Sequence, residues 1–105
     1  MRTWTGTFIS SEGVRGTLKI KLKSPRLSEE PYFTDCFMRL NQSEESIFLL
    51  LVDGDLATSP DLNKGLSLCM LMRSDEVIVG EYSVMYPADR GRFTIRPESN
   101  SCTLL

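Results

Sequence analysis

Histidine is absent from the 105 residues. That absence removes the usual general base at neutral pH, the Ser-His-Asp and Cys-His arrangements, and the commonest zinc ligand. Cysteine is scarce: Cys36, Cys69 and Cys102 form no CxxC pair, are odd in number, and are too few for a disulfide scaffold. They read as free thiols in a reducing compartment. Their equal spacing implies no repeat, because repeats of that period are helical and need three or more units. No glycine-rich phosphate loop occurs. Long apolar runs are missing too. "SIFLLLV" is too short to cross a bilayer as a helix, and "MRTWTGTFIS" has no apolar signal segment. A cytoplasmic location with no transmembrane segment is expected. The acidic pairs Glu29-Glu30, Glu44-Glu45 and Asp75-Glu76 fall in turn-like stretches open to water, which speaks against acid/base catalysis without histidine. The chain is expected to be non-enzymatic, with no metal ion and no cofactor.

What is present is alternation. A chain of this length builds one modest core, so residues 1–105 are read as a single domain. In "TWTGTFIS", Trp4, Gly6 and Phe8 alternate with Thr3, Thr5 and Thr7, the period of a strand with one buried face. "VRGTLKIKLK" repeats it, with Val14, Gly16, Leu18, Ile20 and Leu22 opposite Arg15, Thr17, Lys19, Lys21 and Lys23. "SSEG" between them supplies the turn, Gly13 being able to take a positive φ. "SPRLSEEP" is a loop. "YFTDCFMRL" reads as a strand whose buried face is open: Phe33 and Phe37 lie on one side, Tyr32, Cys36, Met38 and Leu40 on the other. "IFLLLV" is apolar on both faces, which suits a strand covered on both sides or one crossing the core. "DGDLATSPDLNKG" is irregular, with a short helical turn expected after Ser59. "LSLCMLMRS" places Leu66, Leu68, Met70 and Met72 on one face. "VIVGEYSVMY" does the same for Ile78, Gly80, Tyr82, Val84 and Tyr86. "PADRG" reads as a turn, and "RFTIRP" points Phe93 and Ile95 inward. The methionines, Met38 and Met85 included, read mainly as core filling. Short strands separated by turn signals predict an all-β fold, a small antiparallel barrel or sandwich of about seven to eight strands.

The pattern Trp4-x-Gly6-x-Phe8 followed by Gly16-x-Leu18-x-Ile20 resembles the opening of calycin-type barrels, the group that includes lipocalin-like and avidin-like proteins. The resemblance implies an antiparallel barrel whose first-strand tryptophan plugs one end, giving Trp4 and Gly6 a structural role. It also implies an alternative function, a carrier holding a small apolar ligand inside.

Charge is unevenly spread. Residues 1–26 carry six basic side chains against Glu12, residues 27–89 carry three against twelve acidic ones, and residues 90–105 carry three against Glu98. If the last strand closes beside the first, Arg92 and Arg96 join Arg15, Lys19, Lys21 and Lys23 around the stripe of Thr3, Thr5 and Thr7. Such a face can bind phosphates or an acidic protein partner. Nucleic acid is disfavoured because the aromatic residues are expected inside, which leaves no stacking platform. The plain alternative is a solvated face that discourages edge pairing. The expected function is a protein-interaction module, an inhibitor or an assembly subunit, with homo-oligomer formation left open.

Two motifs fail. Counted from Asp53, the sixth and twelfth places of an EF-hand loop hold Thr58 and Lys64 where glycine and glutamate are needed. The terminal "CTLL" fits prenylation and PDZ-ligand frames only loosely. Leu104 and Leu105 are expected to pack back on the domain, which makes lipidation the less favoured reading and leaves modification of Cys102 open.

Overall fold

A computed structural model of the chain describes residues 1–23, 30–41, 43–60, 65–85 and 88–98. Eight strands follow in order: β1 (Arg2–Ser10), β2 (Arg15–Leu22), β3 (Tyr32–Leu40), β4 (Ser46–Asp53), β5 (Leu56–Thr58), β6 (Leu66–Arg73), β7 (Ile78–Met85) and β8 (Ala88–Pro97). Each pairs antiparallel with the next, and β8 returns to β1 from Trp4↔Pro97 to Ser10↔Gly91, so the sheet closes into a barrel. Closure decides between the barrel and the sandwich, which share the same period-two pattern.

β1 and β2 form as the alternation predicts. Trp4 and Phe8 point inward from β1 and Leu18, Ile20 and Leu22 from β2, all buried. The turn between them is held by Ser10, whose hydroxyl accepts hydrogen bonds from the N–H of Glu12 at 3.2 Å and of Val14 at 3.0 Å. Gly13 sits there at φ 85°, a conformation that suits glycine. Glycine is required at Gly6 for a different reason: a Cβ there would overlap the carbonyl oxygen of Thr94 on β8.

The open register of β3 is resolved by its neighbours. Ile20 lies opposite Cys36 and Leu18 opposite Met38, which turns Thr34 and Cys36 into the core and leaves Phe33 exposed outside. On β4 only one face is covered: Leu50 and Val52 are buried, while Ile47 and Leu49 face outward, exposed. The expectation of cover on both sides is therefore not met within one barrel.

Three further expectations change. Leu56–Thr58, inside the stretch read as irregular, is the short strand β5 between β4 and β6. Residues Ala88–Arg90, read as a turn, belong to β8, with Ser83 opposite Arg90. Met72 and Met85 are not in the core but exposed. A bulge lies between Met70, opposite Gly80, and Met72, opposite Val79, and the extra residue turns Met72 outward and Arg73 toward the barrel end. The helical turn expected after Ser59 reaches residues 61–64, and Tyr86 and the tail from Cys102 to Leu105 lie elsewhere in the chain. All of these are outside the described residues.

Candidate functional site

The outer wall of β2, β1 and β8 is built by register. Thr3 lies opposite Lys21; Thr5 lies between Lys19 and Arg96; Thr7 lies between Thr17 and Thr94; Ile9 lies between Arg15 and Arg92. Odd positions on β1 and β2 and even positions on β8 all face outward, because the inward set is fixed by the buried Trp4, Phe8, Leu18, Ile20, Phe93 and Ile95. Arg15, Lys19, Lys21, Arg92 and Arg96 are all exposed around the threonine stripe. Lys23 is not part of it. This residue follows the end of β2, where its N–H donates to the Tyr32 hydroxyl at 2.9 Å and its ammonium lies 4.7 Å from the centre of the Tyr32 ring.

One arginine that the charge count did not single out, Arg90, extends the wall, and another, Arg2, caps the barrel end beside it. Arg90 joins Arg92, Ile9, Ser83 and Leu56 along a groove of about 480 Å³. Arg2 borders a second groove of about 740 Å³ with Thr3, Lys19, Lys21 and Glu98, but its guanidinium lies over the barrel end, 5.6 Å from the Trp4 ring, where Nη1 donates to the Asp75 carbonyl at 3.2 Å. A third hollow of about 290 Å³ lies between Arg15 and Arg92 over Thr7 and Ile9. One carboxylate tempers the positive field: Glu98 lies 3.9 Å from Lys19, both half exposed, an arrangement worth little in water. Glu81 is the cross-strand neighbour of Arg92, yet the two form no ion pair. Among the described residues, Arg15, Lys21, Arg92 and Arg96 form no ion pair.

The interior is of another kind. Leu18, Ile20, Leu22, Cys36, Leu50, Leu66, Ile78, Phe93 and Ile95 are at most 1% exposed. Phe8 meets Tyr82 edge to face at 5.2 Å. Trp4 is buried near the end of the barrel where Arg2 covers it, and Gly6 follows one inward place along, between Leu18 and Ile95. Burial pushes the Cys36 thiol up to about 12, which keeps it protonated and unreactive. Tyr82 is likewise raised to about 12, by burial first and then by the Asp89 carboxylate. Its hydroxyl has no hydrogen-bond partner among the described residues.

Among the described residues no group of three or more acidic or cysteine side chains could hold a metal ion. No described helix is long and apolar enough to cross a membrane. No protein-family model and no curated protein matches the sequence.

Proposed function

We propose that the barrel is a non-enzymatic protein-interaction module whose β2–β1–β8 wall docks an acidic surface of another protein. The observation that carries this reading is the pair of cross-strand rows in which Arg15 and Arg92 flank Ile9 while Lys19 and Arg96 flank Thr5. Cations arranged around a shallow, partly apolar strip provide both electrostatic steering and a surface to desolvate. The same wall carries no exposed aromatic side chain, because Trp4 and Phe8 point inward, so it lacks what a single-stranded nucleic acid would stack on.

The closed up-and-down ring, together with Trp4-x-Gly6-x-Phe8, supports reading the fold as calycin-like. A carrier function is weaker on this chain, since inward side chains from all eight strands pack into one buried apolar cluster. The free thiols Cys36 and Cys69 favour a reducing, cytoplasmic setting.

The test is partner capture by the full chain purified from its own host, compared with the triple variant Lys19→Glu, Lys21→Glu, Arg92→Glu. All three residues are exposed, so the fold should persist while the partner is lost. Unchanged capture would sink the reading. Native mass spectrometry of the same material reports whether a removable small molecule of carrier type travels with the barrel.

A further inference from the structure

The outer wall of β3 and β4 has no role in that docking and is built unlike a solvated surface. Phe33 lies opposite Leu51, Asp35 opposite Leu49, and Phe37 opposite Ile47. Phe33 is 57% exposed, Ile47 58% and Leu49 49%, while Phe37 and Leu51 are half-buried. On a barrel of this size, five contiguous apolar side chains facing outward mark a contact surface rather than scatter. They also account for a strand whose sequence is apolar on both faces.

Two charges interrupt the patch, and their placement selects the occupant. Asp35 and Arg39 project from the same side of β3, one on each side of Phe37, and both are exposed. Along extended chain they are separated by four residues, roughly 13 Å, too far to pair with each other. Neither makes an ion pair within the barrel among the described residues. Lys19, the neighbour of Phe37 on the β2 side, lies 3.9 Å from Glu98 at the border of the patch.

We propose that this wall is the interface between two copies of the chain, related by a two-fold axis that crosses the strands at Phe37. Under that axis the two β3 strands run antiparallel across the interface. Phe37 meets its mate, Ile47 meets its mate on β4, and Asp35 of each copy faces Arg39 of the other. An isologous contact demands this kind of self-complementarity, in which one residue meets another and the reverse holds on the far side. The alternative axis through Asp35 sets carboxylate against carboxylate. A pairing with the axis along β3 does the same, whereas the axis at Phe37 matches Asp35 with Arg39. Aligned face-to-face sheets are an ordinary packing for such walls. The dimer leaves β1 and β8 open, while Lys19 on β2 borders it beside Phe37.

Sedimentation equilibrium of the full chain from micromolar to millimolar concentration tests this. The expected result is a monomer–dimer equilibrium that Ile47→Lys abolishes. Asp35→Arg alone and Arg39→Asp alone should each weaken association by about tenfold or more, as for an interfacial charge facing its own sign. The double variant Asp35→Arg, Arg39→Asp should restore it. Circular dichroism checks that each variant keeps its fold, which the exposure of these three side chains favours. A chain that stays monomeric, an open-ended assembly, or a dimer indifferent to the single reversals overturns the proposal. So does a loss that the double variant fails to repair. A monomer throughout would hand the wall to a different protein.

Discussion

Arg73 donates a 3.1 Å hydrogen bond from Nη2 to the carbonyl oxygen of Lys23, fifty residues earlier in the chain. Its Nη1 reaches the carbonyl oxygen of Gly54 at 3.4 Å, so one guanidinium ties the end of β2 to the turn between β4 and β5. The bulge in β6 makes this possible by rotating Arg73 away from the outer wall. Removing the fork in Arg73→Ala should lower unfolding free energy by about 2 kcal/mol, the scale of charged hydrogen bonds lost from partly buried sites. Arg73→Lys should recover only part, because an ammonium cannot span both carbonyls. Urea midpoints of the three proteins check this, and equal midpoints for arginine and alanine would refute it.

Gly6→Ala and Gly13→Ala should both destabilise, for different reasons and by different amounts. At Gly6 the added methyl collides with the Thr94 carbonyl and the Ile95 backbone, which cannot move without parting β1 from β8. A loss of about 3 kcal/mol is expected, as for severe overpacking. At Gly13 a Cβ meets nothing within 4 Å, and only the positive φ is strained. The expected cost there is about 1–2 kcal/mol. Thermal or urea unfolding of both variants measures the contrast, and a Gly13→Ala loss larger than that of Gly6→Ala would contradict it.

Alkaline pH should unfold the barrel through Cys36. Its thiol rises from 9.0 to about 12 on folding because burial penalises the thiolate. The folded state thus holds a proton that the unfolded chain releases, so this contribution is complete below pH 9 and is lost as pH climbs toward 12. The slope from one such group approaches about 1.4 kcal/mol per pH unit. Tyr82 adds to it from pH 10.0 upward. Urea midpoints against pH should fall less steeply in Cys36→Ala than in the parent. At pH 8 the folded chain should take alkylating reagent at the half-buried Cys69 while Cys36 stays unmodified, as peptide mass mapping would report.

Docking on the basic wall should depend strongly on salt. Raising sodium chloride from about 50 to 500 mM should slow association by about tenfold while leaving dissociation much less changed, since steering acts on encounter. Surface plasmon resonance with the captured partner gives both rates. A salt-independent on-rate would mean that Arg15, Lys19, Arg92 and their neighbours are not what the partner meets.

Much of this molecule is legible in its residues, and the parts that are not share a cause. Strict alternation places Trp4, Phe8, Leu18, Ile20, Phe93 and Ile95 inside, and the same parity sets Lys19, Arg92 and Arg96 outside, so the basic wall follows once the ring closes. Parity says nothing about a strand with apolar residues on both sides: Phe33 and Cys36 could each have been core, and cross-strand register with β2 decides it. Nor does it see a bulge, which is why Met72 is misplaced and Arg73 overlooked. Three residues are too few to display a period, so β5 is hidden in a loop-like stretch between Gly54 and Pro60.

That shortest strand makes the hoop unequal around its circumference. β5 holds β4 only over Leu51–Asp53 and β6 only over Ser67–Cys69, whereas β1 and β2 are joined along nearly their whole length. Partial unfolding should begin there, because fewest ladder bonds break for the freedom gained. Such a rupture would strip the neighbour from β4, the strand with apolar side chains on both faces, and present it as a free edge. The clasp that shuts this ring is also what keeps its stickiest strand out of fibrils.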